Sequence, residues 1–203
     1  MGKLGKRVFV CFCAAVLVWC GALFADRQRL HEEVIRLHVV ANSDSEADQS
    51  VKLLVRDAVM ESLRGDLRKV GDMEEAKNYL RENLQKIQVI ANETLEKAGF
   101  SQTAVVTLCQ EAFDTRHYDT FSLPAGVYEA LRIVIGEGAG HNWWCVVFPT
   151  LCLTAAAEDF VDTASAAGFP DSLTAAMTGQ SGYEVRFYLL DAMGRLENIF
   201  FSG

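Results

Sequence analysis

The sequence predicts an α+β fold: a mixed sheet of about four strands with a central hairpin, covered by a helix pair and a C-terminal helix, after an N-terminal signal or anchor segment. Three observations carry this. Gly126 to Pro149 (GVYEALRIVIGEGAGHNWWCVVFP) holds two runs dense in β-branched and aromatic residues, 127–135 and 142–148, around the glycine-rich connection Gly136 to His141. That is the pattern of a β-hairpin. Both runs are apolar at odd and at even positions, as strands covered on both faces are. Two long stretches between residues 44 and 99 repeat apolar residues at helical spacing.

In chain order, Lys3, Lys6 and Arg7 precede the apolar run Val8 to Ala25 (VFVCFCAAVLVWCGALFA). A positive start and an apolar middle mark a secretory signal, and about 18 apolar residues also approach the length that spans a bilayer. Residues 1–25 are therefore read as a signal peptide or membrane anchor, and 26–203 as a single exported α+β domain. By the positive-inside rule the body lies outside the cytoplasm in either case. LVWC (17–20) has Trp19 where a lipoprotein box needs a small residue.

Asp26 to Glu33 continues helically, and Val34 to Val40 (VIRLHVV) reads as a strand. Ser43 or Asp44 can cap a helix over 44–64, with Glu46 and Asp48 in its dipole-favoured first turn and Val51, Leu54, Val55, Ala58, Val59 and Leu63 on its apolar side. Gly65 and Gly71 bracket a linker. Asp72 with Glu75 opens a second helix of about seven turns, striped by Ala76, Leu80, Leu84, Ile87, Ala91 and Leu95 and stopped by Gly99. Thr103 to Phe113 is a strand, Asp114 to Ala125 a polar loop of the kind that carries function. After the hairpin, whose Trp144 should lie buried under a helix, residues 151–182 show no strong period. Val185, Tyr188, Leu189, Ala192, Leu196, Ile199 and Phe200 then return to helical spacing, although 183–189 also suits a strand.

The formal charge is −8, and −11 once Lys3, Lys6 and Arg7 are set aside. Such a balance argues against nucleic acid as a partner. Cys11, Cys13 and Cys20 sit in the apolar run, Cys109, Cys145 and Cys152 in the body. Cys145 and Cys152 are candidates for a disulfide if the chain folds back near Pro149, and buried free thiols otherwise. Cys145 with His141 or His117 would be the thiol and imidazole of a hydrolase, but four residues along a strand separate His141 from Cys145 by about 13 Å. GEGAG (136–140) lacks the following helix of a phosphate loop. Asp44, Glu46 and Asp48 lack the glycine and glutamate of a calcium loop, and His31, His38, His117 and His141 have no metal-ligand spacing. No cofactor and no metal is expected.

Arg36 to Val59 (RLHVVANSDSEADQSVKLLVRDAV) and Tyr128 to Cys152 (YEALRIVIGEGAGHNWWCVVFPTLC) resemble the two signature blocks of the stage II sporulation protein R family of endospore-forming bacteria. Residues 153–182 lie outside what can be aligned. The resemblance implies a protein that is not itself an enzyme, made in the forespore and exported into the space between the forespore and mother-cell membranes. There such proteins activate a membrane-embedded aspartic-type protease, the sporulation sigma-E factor processing peptidase, which cleaves the pro-peptide of the mother-cell sigma factor. Contact with the membrane would run through the N-terminal segment only if that segment is not cleaved. Within the first block, Asn42, Asp44, Asp48, Gln49, Lys52, Arg56 and Asp57 are more polar residues than packing requires, and they are the expected receptor-binding surface. Asp48, Lys52 and Arg56 fall on one helix face. An envelope thiol hydrolase using Cys145 and a passive structural protein of the spore envelope are the competing readings.

Replacing Leu17 with Arg places a charge at the centre of the apolar run, at roughly 2.5 to 3.5 kcal/mol on insertion scales. The variant is expected to remain in the cytoplasm on fractionation and to lose all signalling; full activity would defeat the exported reading.

Overall fold

Helix α1 (Lys3–Glu33) runs unbroken through the apolar segment and the charged stretch after it, and Val34 alone separates it from strand β1 (Ile35–Val40). The computed structural model describes residues 3–118, 120–149, 157–166 and 169–201. Of α1, only Leu23, Asp26 and Leu30 are buried, so most of the helix projects from the domain.

Helices α2 (Glu46–Leu67) and α3 (Met73–Lys97) follow. Ser45 caps α2, accepting from the Asp48 amide, in place of the expected Ser43 or Asp44. Both of those are occupied elsewhere. Gly65 lies within α2, not in a linker. Asp72 caps α3 through the Glu75 amide, and Glu75 accepts from Gly71 rather than from Asp72 itself. Val51, Val55, Val59 and Leu63 of α2 meet Ala76, Leu80, Ile87 and Ala91 of α3 over one face of the sheet. Each large aliphatic side chain buried there contributes roughly 1.5 to 3 kcal/mol. Leu54, expected on that stripe, is 52% exposed.

The sheet is four-stranded and mixed, in the order β2 (Ala104–Phe113), β5 (Gly126–Ile135), β1, β6 (Asn142–Phe148). The expected central hairpin is therefore not formed: β1 lies between its two arms, parallel to β5 with Leu37 opposite Leu131, and antiparallel to β6 with Leu37 opposite Cys145. The physical reason is reach. Residues 136–141 are enough to cross two strand spacings of about 4.8 Å, whereas a two-residue turn would force β5 against β6. All six residues of β1 are buried, which suits an interior strand.

The second face is covered by the end of α1, by α4 (Ala157–Ala166) and α5 (Asp171–Met177), by α6 (Glu184–Phe201), and by a small hairpin of β3 (Arg116–His117) and β4 (Ser122–Leu123). Phe113, Tyr128, Val146, Phe160, Leu173 and Leu190 pack together there. Of the stretch 151–182, read from sequence as aperiodic, 157–166 and 171–177 are thus helical.

Two expectations fail on this face. Trp144 is half-buried rather than buried, stacked on His38 at 5.7 Å with the Arg116 guanidinium 3.5 Å from its ring, and packs against the second core. Helix α6 turns most of its apolar spacing outward: Val185, Tyr188, Ala192, Leu196, Ile199 and Phe200 are exposed, Leu189 is half-buried against the second core, and Asp191, Glu197 and Asn198 face the protein. The end of the sheet explains why. Asp191 accepts from the Ala125 amide at 2.8 Å, Glu197 accepts from the Val127 amide at 3.1 Å, and Asn198 donates to the Phe113 carbonyl at 2.8 Å. Burying those backbone groups without partners would cost more than exposing apolar side chains.

Gly194 lies where α6 crosses this end, and a Cβ there would overlap the Ala125 carbonyl. Helix propensity alone predicts that Gly194→Ala gains about 1 kcal/mol. The packing predicts the reverse, a loss of about 1 to 3 kcal/mol from overpacking, read as a lowered thermal midpoint.

Candidate functional site

At the far end of the sheet, where β1 stops, Ala41 to Ser45 turns into α2 directly beneath the loop that carries β5 over to β6. The two stretches are bonded as one unit. The Ala139 and Gly140 amides donate to the Asn42 and Ala41 carbonyls at 3.1 and 3.0 Å, and the Glu137 amide donates to Asn42 Oδ1 at 3.0 Å. Glycine is required where the strands approach: Gly136 has φ +56°, and its Cβ would strike the Asn42 side chain, while a Cβ at Gly140 would strike the Ser43 carbonyl. GEGAG is thus neither a phosphate cradle nor a tight hairpin turn but a clasp over the end of β1.

The residues expected to form a receptor-binding row do different work. Asp48 is buried; its Oδ2 accepts from Asn42 Nδ2 at 2.9 Å and from Ser43 Oγ at 2.5 Å. Lys52 is also buried and donates to Gln49 Oε1 at 2.6 Å and to the His141 carbonyl at 2.9 Å. Gln49 donates to the Ser43 carbonyl at 2.9 Å. Asp44 is exposed, but its Oδ1 accepts from the His141 amide and lies 2.5 Å from His141 Nδ1. Arg56 pairs with its neighbour Asp57 at 2.7 Å and lies 4.4 Å from the Trp143 ring. Asp48, Lys52 and Arg56 do share a helix face, and that face looks onto the clasp and Trp143. What remains open to a partner is Asp44, Leu54, Asp57, His141, Trp143 and the half-buried Arg56, bordered by a shallow groove between α2 and β6.

Charge follows this geometry. Hydrogen bonds from the Ser43 and Asn42 side chains hold the Asp48 carboxyl below its usual range, and the side-chain and amide hydrogen bonds of His141 do the same for Asp44. Burial pushes the Lys52 ammonium down, against the attraction of Asp44.

Two further clusters lie beside the clasp. On β1, Arg36 is fully buried, with its guanidinium 4.1 Å from the Phe113 ring, and donates to Tyr118 Oη at 3.2 Å. His38 Nδ1 is 2.9 Å from both oxygens of Glu111, which Arg132 also approaches at 3.8 Å. Glu129, on the opposite face, pairs instead with Lys77 of α3 at 3.5 Å. The sequence singled out neither Arg36 nor Glu111; a charged residue inside an otherwise apolar strand was the available signal. The polar loop 114–125 folds into the β3–β4 hairpin and lines a pocket of about 330 Å³ with α5 and α6, where His117 meets Ser122 Oγ at 2.8 Å.

Cys145 is buried and disulfide-bonded, so its sulfur is no nucleophile, and the His141 ring is engaged with Asp44. The thiol-hydrolase reading is set aside on that ground. Cys152, expected as the partner of Cys145, lies outside the described residues.

The fold and site define an α+β domain continuous with an N-terminal apolar helix, stiffened by a polar clasp in which residues 36–59 and 128–148 meet. The chain belongs to the stage II sporulation protein R family, whose model matches residues 31–158. The stage II sporulation protein R of Bacillus subtilis (strain 168) is 43% identical over 121 residues, 60% of this chain and 54% of that protein. The match therefore spans about half the length of that relative. No solved structure matches the chain.

Asp48→Asn is expected to lower stability by about 1 to 3 kcal/mol near neutral pH, since it weakens charge-assisted bonds at a buried position. Because the folded Asp48 value is depressed, its stabilisation is present above the unfolded carboxylate value of about 3.9 and is lost as pH falls through the folded one. Thermal midpoints of the detergent-solubilised chain should fall below about pH 4, and fall less for Asp48→Asn than for the parent.

Proposed function

We propose that this chain is a signalling protein of sporulation, exported from the forespore into the space between the two membranes, where it activates a membrane-embedded aspartic-type protease that processes the mother-cell sigma-E precursor. Membership of the stage II sporulation protein R family carries this reading. Three observations support it. Helix α1 has the length and mean hydropathy to cross a membrane and stands near the N-terminus. The disulfide at Cys145 suits a compartment outside the reducing cytoplasm. The two sequence blocks that carry the resemblance converge on one rigid end of the domain, as an activating ligand's recognition surface would.

Residues 1–25 serve as an anchor in this account, and 26–203 as the signalling domain. Leu23 is buried in the second core and Asp26 pairs with Arg186 of α6, so the end of the apolar run is part of the folded domain. Cleavage after Ala25 would remove Leu23 from that core. The receptor-binding residues divide into two sets. Asn42, Asp44, Asp48, Gln49 and Lys52 shape the clasp; Arg56 and Asp57, with Trp143 and Leu54, touch the protease.

Arg56→Glu tests this division, because it reverses a partly exposed charge and forfeits a cation–π contact of only about 0.5 to 1 kcal/mol. The variant should keep its circular dichroism spectrum and fail to support sigma-factor processing in sporulating cells. Normal folding with normal processing, in Arg56→Glu and in Asp57→Lys alike, would move the docking surface off this face.

A further inference from the structure

Helix α6 carries an apolar stripe that the domain leaves uncovered. Val185, Tyr188, Ala192, Leu196, Ile199 and Phe200 recur at helical spacing over the whole helix, all exposed, Tyr188 to 70% and Phe200 to 85%. No charged side chain stands within the stripe; Glu184 and Arg195 flank it. A soluble surface rarely exposes so long an apolar face without a partner.

The topology says which way this face looks. The inner side of α6 bonds to Phe113, Ala125 and Val127, which form one end of the sheet. Helix α1 enters β1 at that same end, since β1 runs parallel to β5 and starts opposite Glu129. The outer side of α6 therefore faces the direction from which α1 arrives. Contacts between the helices fix the level: Asp26 pairs with Arg186, and Arg27 with Glu197 at 2.7 Å. Glu197 also lies 3.6 Å from His31, so Arg186 and Glu197, about 16 Å apart along α6, meet α1 between Asp26 and His31, a rise of about 7.5 Å, and α6 crosses α1 rather than running along it. The crossing falls immediately after Ala25, where the apolar run of α1 ends.

We propose that α6 is an interfacial helix lying in the surface of the phospholipid bilayer that α1 enters, with Tyr188, Leu196, Ile199 and Phe200 inserted among the acyl chains. The inference rests on the anchor reading of α1. A helix with an apolar face and a polar face, parallel to the membrane plane, buries its apolar side about 5 to 10 Å into the headgroup boundary, and aromatic side chains favour that depth. Its ordinary polar face is taken up by the domain, so α6 cements the sheet end to the lipid surface and fixes the height and tilt of the clasp at the other end of the sheet. The acidic body and the uncharged stripe make the attraction apolar, so it requires no anionic lipid.

The test is photo-crosslinking of the full chain in vesicles of phosphatidylcholine alone, with p-benzoylphenylalanine placed at position 200, at position 12 in α1, or at position 82 on the exposed side of α3. Lipid-mass adducts at 200 and 12, and none at 82, are the expected result. Adducts at 12 without any at 200 would overturn the interfacial helix and leave the anchor standing. Adducts at 200 without any at 12 would also overturn the proposal, since the bilayer met by α6 would not be one that α1 enters, and adducts at neither would overturn it together with the anchor. A crosslink from 200 to a second copy of the chain in place of lipid would also overturn the proposal.

Discussion

Everything in this domain depends on β1 being held between two strands that come from the other half of the chain. A six-residue strand with every side chain buried has no stable place at an edge, and its two rows of backbone groups need partners on both sides. β5 and β6 supply them, and the loop joining β5 to β6 must then pass over the end of β1. That requirement generates the clasp. The loop needs glycines to approach the turn below it, the turn needs Asn42 and Asp44 to receive the loop's amides, and Asp48 and Lys52 hold the turn and the loop carbonyl in turn.

The interior position of β1 has an electrostatic cost, because Arg36 and His38 go in with it. The Arg36 guanidinium is compensated by the faces of Phe113 and Tyr128 and by one hydrogen bond to Tyr118, the His38 ring by Glu111 and the stacked Trp144. An unpaired buried cation would be far more costly than either arrangement. The same aromatic residues make up much of the second core, so the polar residues of β1 are part of its packing rather than defects in it.

Most of the secondary structure was legible because helices and strands are dictated by local periodicity. Val51 to Leu63, Ala76 to Leu95 and the runs of β2 and β5 announced themselves in this way. Pairing was not legible, since nothing local distinguishes two strands that flank a turn from two strands that flank a third. Burial along α6 was not legible for a related reason: apolar spacing identifies a helix, but whether the stripe faces inward depends on what the opposite side must satisfy, here the amides of Ala125 and Val127. For the candidate site, the sequence picked out a cluster of polar residues but not the bonds they make in the fold. Asn42, Asp44 and Lys52 looked like solvent-facing polarity because the loop they bond to is about ninety residues away in sequence, and of the seven, Asp44, Arg56 and Asp57 retain an open face.

The strand order also sets the sequence of events by which the domain can form. β1 is synthesised directly behind α1, long before either of its partners, and its first ladder partner to appear is β5 and its second β6. Until Ile135 has been made, β1 has no ladder partner, and until Phe148 has been made its second side stays unpaired; closing so long a loop is an entropic cost that must be met before any pairing repays it. α2 and α3, whose contacts are local, can assemble during that interval and offer β1 an apolar surface to wait against. By this order the nascent chain holds the α2–α3 helix pair before it holds a complete sheet, and the sheet closes around β1 only when the second signature block arrives.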